Sequence, residues 1–246
     1  METGIVMAIL AFAMGGVLKG AIGAGTPVIA VPILSLYYGV PFAVTVFALP
    51  AVLSNLLQLW QFRRDLLPER FIWPMGLGAG VGAGLGTVIL VSLPAQILMI
   101  SVAGATLAYV GFRLARPDWQ LGYDLAARVV LPVSVLAGIM QGAAGISAPI
   151  SLTFISALRL ERAAFIGTIS AFFLAMSLVQ LPALWGVGLL TGEKLLYSLG
   201  LCIPLFAAMP LGGWLARFIP PAMFERIVMA LLVLIAARLL WAAFHG

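Results

Sequence analysis

The chain has 246 residues, of which 63% are hydrophobic and 9% are charged, and its mean hydropathy is +1.18. Soluble domains carry about 25% charged residues, so this composition excludes an ordinary soluble fold and predicts an all-α integral membrane protein. The net charge of +5 comes from basic residues that mostly flank apolar segments, which argues against nucleic-acid binding. A single cysteine, Cys202, and a single histidine, His245, argue against a disulfide framework or a metal site, and we expect no cofactor.

The first half of the chain begins with two apolar segments that we predict to be too short for a full span. They are residues 4–18 and 28–38, and a break rich in Gly and Pro, residues 20–27, separates them. Three longer segments follow, each close to the roughly 20 residues that cross a bilayer. These are residues 42–62, 71–91 and 95–112.

The second half repeats this layout. Its short segments are residues 125–140 and 150–158, and its long ones are 163–185, 195–216 and 222–241. The two breaks align without a gap, so that Gly16, Gly20, Gly23 and Pro27 recur as Gly138, Gly142, Gly145 and Pro149. The same register places Asn55 and Gln58 on Ser177 and Gln180. We therefore predict an internal duplication, with one repeat in residues 1–122 and the other in residues 123–246.

The basic residues favour a re-entrant hairpin in each half over a single interrupted span. A single span would place Arg159 and Arg162 across the membrane from Arg113 and Arg116, against the positive-inside rule. With two hairpins, nearly all arginines fall in the cytoplasm, and both termini lie outside. The cytoplasmic set is Arg63, Arg64, Arg70, Arg113, Arg116, Arg128, Arg159, Arg162, Arg217 and Arg226. The prediction is two inverted repeats, each a broken re-entrant hairpin plus three transmembrane helices.

The two breaks predict a binding site for an anion. Gly and Pro release backbone groups that lipid cannot satisfy, so such segments lie in protein or line a cavity, and paired breaks mark transporter binding sites. Pro27 and Pro149 suit the first helical position, Thr26 is suited to cap its helix, and Ser147 is a weaker candidate for the second. The N-termini of both helices would then point partly positive N–H groups at an anion.

Lys19, which we count with the first break, is the one ionisable residue that this topology places inside the membrane, and intramembrane charges are usually functional. No carboxylate in the neighbouring apolar segments is available to pair with it. A bound anion is one candidate partner, and carbonyls freed by the break are the other. Mid-span polar side chains either contact substrate or join helices, and we favour substrate contact. The predicted substrate-binding residues are Lys19, Gly23, Gly25, Thr26, Asn55, Gln58, Gln141, Gly145, Ser147, Ser177 and Gln180.

Other patterns are interpreted as structural. The glycines at every second position from Gly76 to Gly86 are expected to allow close helix contact, not to bind a nucleotide. Phe172 and Phe173 are expected to pack, although they are also suited to lining a pocket for an aromatic substrate. We assign no chemistry to the arginine clusters around Arg63 and Arg159.

The repeated Gly-rich break followed by Pro, in residues 16–32 with 55–58 and again in residues 138–149 with 177–180, resembles the sulfite exporter TauE/SafE family, also called the 4-toluene sulfonate uptake permease family. The resemblance implies passage of sulfite, sulfonates or related organic anions across the bacterial inner membrane by a multi-pass protein. It fixes neither the substrate nor the direction. Gln141 takes the place of Lys19 in the second half, which argues against a two-fold charged site.

The expected mechanism is alternating access around an anion held between the two helix N-termini. The eight Asp and Glu residues all map to loops or termini, so we expect facilitated diffusion, or coupling through the substrate's own protonation, over a carboxylate-based symport. An anion channel and a structural membrane subunit are the alternatives. The expected partners are a small anion and the lipid bilayer. Association into a homo-oligomer is left open by the sequence.

Overall fold

Ten α-helices form the described part of the chain. The computed structural model describes residues 2–116, 119–218 and 221–245, except for the side chains of residues 2, 113, 221–228, 231, 232 and 245. The helices are α1 Glu2–Ile22, α2 Thr26–Tyr38, α3 Val40–Gln61, α4 Glu69–Ser92, α5 Ala95–Ala115, α6 Tyr123–Ala144, α7 Ala148–Ser156, α8 Arg162–Gly186, α9 Gly192–Leu215 and α10 Pro221–His245. The predicted all-α fold is confirmed.

Seven helices in the described residues are long and apolar enough to cross a membrane: α1, α3, α4, α5, α6, α8 and α9. Five tryptophans near the helix ends, Trp60, Trp73, Trp185, Trp214 and Trp241, each expose more than half of their surface. Tryptophan concentrates at membrane–water interfaces because its ring is apolar and its N–H is polar. The fold is that of a multi-pass membrane protein.

The prediction that the first segment of each half is too short to span is wrong. Helix α1 has 21 residues and α6 has 22, whereas α2 has 13 and α7 has 9. Gly16 and Gly20 stay helical because they are packed against α9, and a buried helix tolerates glycine where a neighbour supplies the contacts. Each half therefore has one long and one short helix around its break.

Both interrupted segments are hairpins. The Thr26 hydroxyl, at the start of α2, donates to Gly15 O, and Tyr38 at the end of α2 lies beside Gly4. Helix α2 thus starts beside the middle of α1 and returns to where α1 began. In the second half the Leu121 N–H donates to Ala157 O at 2.9 Å, which brings the end of α7 back to the start of α6.

The two hairpins start from opposite ends of the bundle. The guanidinium of Arg162, just after the second hairpin returns, donates to Ala21 O at the far end of α1. The helix contacts of one half also recur in the other, with α1 to α5 corresponding to α6 to α10. The contacts of α1 with α9, α3 with α9 and α2 with α10 recur as those of α6 with α4, α8 with α4 and α7 with α5. The corresponding helices α3 and α8 also contact each other, as do α5 and α10.

Most arginines lie at one end of the bundle, where α1, α3, α5 and α9 end and α4, α6 and α8 begin. This basic end contains Arg63, Arg64, Arg70, Arg116, Arg159, Arg162 and Arg217. The side chains of Arg113 and Arg226 lie outside the description. Lys194, near the start of α9, lies at the opposite end. By the positive-inside rule, the basic end is the one expected in the cytoplasm.

Glycine lets two helix pairs approach to backbone contact. A Cβ on Gly82 of α4 would collide with Val135 O of α6, and a Cβ on Gly138 of α6 would collide with Ala79 O of α4. Gly16 of α1 and Gly212 of α9 meet backbone carbonyls of the partner helix in the same way. The predicted role of the α4 glycines in close helix contact is confirmed at Gly82, and also at Gly78 and Gly86.

We predict that Gly82→Ala destabilises the protein and that Gly84→Ala, on a different face of the same helix, does not. The Gly82 Cβ would meet rigid backbone, whereas that of Gly84 would lie 3.5 Å from the flexible Val179 side chain. Overpacking of this kind costs about 1–3 kcal/mol, so the apparent Tm in detergent should fall by roughly 2–10 °C. Thermal size-exclusion profiles of the two variants measure it, and equal melting of both would contradict close α4–α6 packing.

Candidate functional site

The two breaks are shorter than the sequence suggested. They comprise residues 23–25 and 145–147, and their left-handed residues are Gly23 (φ 79°), Gly25 (φ 108°) and Gly145 (φ 71°). A side chain at these angles is strained, so glycine is required there. Lys19 therefore lies in the last turn of α1, not within a break, and the hydrogen bond from Gly23 N to its carbonyl ends the helix.

Lys19 is buried, with 3% of its surface exposed. Its Nζ donates to Asn55 Oδ1 at 2.6 Å, and Asn55 Nδ2 donates to Ala51 O at 2.8 Å. The second bond fixes the amide so that its oxygen faces the ammonium. Within the described residues, the ammonium thus donates to a neutral amide oxygen. Burying a charge without a counter-charge is costly.

Two glutamines donate in an equivalent way to carbonyls in the last turns of α1 and α6. Gln58 Nε2 donates to Lys19 O at 3.0 Å, and Gln180 Nε2 donates to Gln141 O at 3.3 Å. Ser170 in turn donates to Gln58 Oε1 at 3.2 Å. Each glutamine therefore joins a long helix, α3 or α8, to the end of its hairpin helix. In this conformation Gln58 and Gln180 join helices. That is the alternative role to direct contact with the substrate.

A narrow cavity lies between the halves, next to the first break. It is lined by Lys19, Gly25, Thr26, Pro27, Phe47, Ala51, Ser54, Asn55, Gln141, Phe173 and Ser177. The space open to the centre of a water molecule is about 10 Å³, room for about one water. Among the described residues that line the cavity, Lys19 is the charged one and the others are neutral. The cavity is thus closed to any anion larger than water in this conformation.

Six of the predicted site residues line this cavity, and five do not. The six are Lys19, Gly25, Thr26, Asn55, Gln141 and Ser177. Of the others, Gly23 packs on Ile166, Gly145 packs on Val31 and Val44, and Gln58 lines a second cavity. Ser147 donates to Gln141 Oε1 at 3.1 Å, and Gln180 reaches the Gln141 carbonyl. The first break therefore touches the cavity directly, and the second reaches it through Gln141.

The capping predictions are wrong for both short helices. Thr26 is the first residue of α2, where its hydroxyl donates to Gly15 O, and Ser147 donates to Gln141. Neither helix has a side-chain cap. Pro27 and Pro149 lie in the first turn, at the second helical residue. Gly25, Thr26 and Pro27 at the amino end of α2 line the cavity. Pro27 has no N–H and the Val28 N–H donates to Gly25 O at 3.1 Å, so this end offers an anion mainly its positive helix dipole.

A larger cavity opens at the basic end and reaches the same region. This vestibule has a volume of about 510 Å³ and is lined by Gly20, Leu57, Gln58, Gln61, Phe62, Arg162, Ala163, Ile166, Phe206, Met209 and Pro210. Its charged group is Arg162, whose guanidinium donates to Ala21 O at 3.1 Å. Gln58 belongs to the vestibule wall and also contacts Lys19 O. The vestibule therefore leads from the basic end towards Lys19.

Sequence reasoning assigned no chemistry to Arg162, because it belongs to the arginine cluster around Arg159, which is typical of a cytoplasmic loop. It also missed the apolar lining of the cavity. Ala51 and Phe173 lie one helical turn before Asn55 and Ser177, so the spacing of the polar pair contained that signal. Phe173, expected mainly to pack, does line the cavity.

The comparison with known families matches nearly the whole chain. A sequence model of the family described as sulfite exporter TauE/SafE matches residues 7–239. No curated protein and no solved structure matches. The family is one of membrane transporters, in agreement with the multi-pass helical fold, the paired hairpins and the buried lysine beside an uncapped helix. The chain belongs to the sulfite exporter TauE/SafE family of membrane transporters.

Proposed function

We propose that this transporter moves sulfur-containing or organic anions across the bacterial inner membrane, with the anion held between Lys19 and the amino end of α2. The observation that carries the proposal is the buried Lys19 ammonium at a cavity without a carboxylate in its described lining. An ammonium there needs a negative partner. A sulfonate, sulfite or carboxylate offers several acceptor oxygens to the ammonium and to the helix amides together.

The vestibule supports an organic anion as substrate. Its walls are mostly apolar, with Leu57, Phe206 and Met209 among them, and Arg162 supplies the charge. An anion with an apolar body matches both parts, because its acid group faces the guanidinium while its body covers apolar surface. The volume of about 510 Å³ falls in the range of small-molecule sites, about 300–1,000 Å³.

Alternating access follows from the difference between the two cavities. The cavity at Lys19 admits about one water, whereas the vestibule at the basic end is wide. An anion can reach Lys19 only if α1 or α3 shifts from its present position. Hairpins that start from opposite ends, with recurring helix contacts, support the proposal of two inverted repeats that rock around the site.

Coupling by a carboxylate of the protein is not part of this proposal. No Asp or Glu lines either cavity in the described residues. Glu69, Asp124 and Glu193 lie in the first turns of helices. The backbone places Glu225 within α10, so its assignment to a loop or terminus was wrong, and Asp118 lies outside the described residues. Facilitated diffusion, or coupling through protonation of the substrate itself, needs no such group.

We predict that Lys19→Gln weakens anion binding at least about tenfold. The variant copies the Gln141 of the other half and keeps a hydrogen bond to Asn55 available, but it removes the charge. Loss of one charge-assisted hydrogen bond costs about 1.5–3 kcal/mol, and about 1.4 kcal/mol is tenfold. Binding and proteoliposome uptake across sulfite, alkyl sulfonates, aryl sulfonates and carboxylates measure it.

Lys194→Gln is the matched control, since Lys194 is the other lysine of the chain and its Nζ donates to Leu189 O outside the cavity. It should bind and transport as the parent does. Unchanged affinity in Lys19→Gln, with folded protein, would remove Lys19 from the site. Flux that rises linearly without saturation in the parent would favour an anion channel instead.

We predict that Arg162→Gln raises the KM for uptake from the basic end about 3- to 10-fold at low ionic strength, with little change in the maximal rate. Charged groups at a cavity mouth raise the local concentration of an oppositely charged solute, and salt screens the effect. Arg162→Lys should retain most of the effect, and Arg217→Gln, at the same end but outside the vestibule, should not alter KM. An unchanged KM in Arg162→Gln would mean that the anion does not enter through the vestibule.

A further inference from the structure

A third cavity lies at the basic end, away from Lys19 and from the vestibule. It sits between the end of α5 and the end of α7, has a volume of about 150 Å³, and is lined by Phe112, Arg116, Trp119, Thr153, Ser156, Ala157 and Arg159. Its lining surface is mostly polar, unlike that of the other two cavities. We call it the α5–α7 pocket. Nothing in the proposed transport cycle uses it.

The charged side chains among the described lining residues of the α5–α7 pocket are both basic. Arg116 and Arg159 contribute guanidinium groups, and no carboxylate is among the lining residues that the structure describes. The Thr153 hydroxyl also lines the pocket. Thr153 is only 9% exposed, and its Oγ1 is buried with no hydrogen-bond partner in the described residues. A buried hydroxyl without a partner is destabilising, so a ligand acceptor there would be stabilising.

The walls of the pocket are fixed. Phe112 and Trp119 pack edge to face, with ring centroids 5.5 Å apart. The Leu121 N–H donates to Ala157 O at 2.9 Å and ties the segment after Trp119 to the end of α7. The pocket is therefore a preformed space between two elements that contact each other. Trp119 in its wall is of a residue type that concentrates at membrane surfaces.

The first half of the chain provides an internal comparison. In the register that pairs Gly23 with Gly145, Thr153, Ser156 and Arg159 correspond to Val31, Leu34 and Tyr37. Val31 and Leu34 are almost fully buried on α2. A hairpin helix of this fold thus packs with apolar residues at these positions, so the polar set of α7 is not needed for the hairpin.

We propose that the α5–α7 pocket binds a phosphate-class oxyanion, either the phosphate of an anionic phospholipid or inorganic phosphate. The two guanidinium groups match its charge and geometry, and the Thr153 hydroxyl donates to one of its oxygens. Basic pockets between transmembrane helices on the cytoplasmic side bind lipid headgroups in this manner. Because α7 connects the pocket to Ser147 and Gln141, the bound phosphate holds the second hairpin in place.

The test uses the full chain purified in a neutral detergent, with native mass spectrometry after addition of phosphatidylglycerol or phosphatidylcholine of the same acyl chains. The pocket variant combines Arg116→Gln with Arg159→Asn, since Asn tolerates the φ of 51° at that position. The matched control combines Arg63→Gln with Arg217→Gln, which removes the same charge from the same end. Thr153→Val removes the hydroxyl at equal size and net charge.

We expect selective retention of phosphatidylglycerol by the parent, weakened about tenfold in the pocket variant and about threefold in Thr153→Val, with the control within about twofold of the parent. Competition by millimolar inorganic phosphate would identify a soluble phosphate as ligand, and resistance to it would identify the lipid. The proposal is overturned if neither ligand is retained, or if the control loses as much as the pocket variant. If the double variant does not fold, Thr153→Val decides by itself, and an unchanged affinity for phosphatidylglycerol in that variant overturns the proposal.

Discussion

The structure is organised around a positive charge buried at the end of a hairpin. Lys19 Nζ lies 2.6 Å from Asn55 Oδ1, an oxygen that carries no formal charge. The carbonyl of the same residue accepts from Gln58. Helices α1 and α3 are therefore joined both through the side chain and through the backbone of Lys19. Since a buried ammonium is costly without an anion, this arrangement supports the proposal of a ligand that brings the missing charge. The uncapped amino end of α2 at the same cavity adds to the positive potential.

The two halves share a framework but not a chemistry. The contact of Gln58 with Lys19 O recurs as that of Gln180 with Gln141 O, and each hairpin turns at a left-handed glycine. Lys19, however, corresponds to Gln141 in the second half, and Ser147 takes the place of the left-handed Gly25. One half therefore supplies the charge while the other supplies neutral donors and acceptors. A site with one lysine suits a small anion, and the framework suits a two-sided rocking motion.

Much of the fold was accessible from the sequence, because membrane-length apolar runs and repeated Gly-Pro spacing are strong local signals. The hairpins were predicted, but the lengths of α1 and α6 were not, since Gly16 and Gly20 break a helix only where no neighbour packs on them. Their contacts with α9 are long-range and leave no mark in local sequence. The capping roles of Thr26 and Ser147 failed because Thr26 lies inside the first turn of α2, where Gly25 is the cap residue, and because the Ser147 hydroxyl is oriented towards Gln141 Oε1. Arg162 and the α5–α7 pocket depend on which loops meet, which spacing alone does not encode.

The most direct test of the account is a structure with a transported anion bound, located by the anomalous signal of a bromine-substituted aryl sulfonate. The account predicts the sulfonate oxygens within hydrogen-bonding distance of Lys19 Nζ and next to the amino end of α2, in a cavity wider than the present one of about 10 Å³. A sulfonate bound elsewhere, with Lys19 still held by Asn55 in an unchanged cavity, would contradict it.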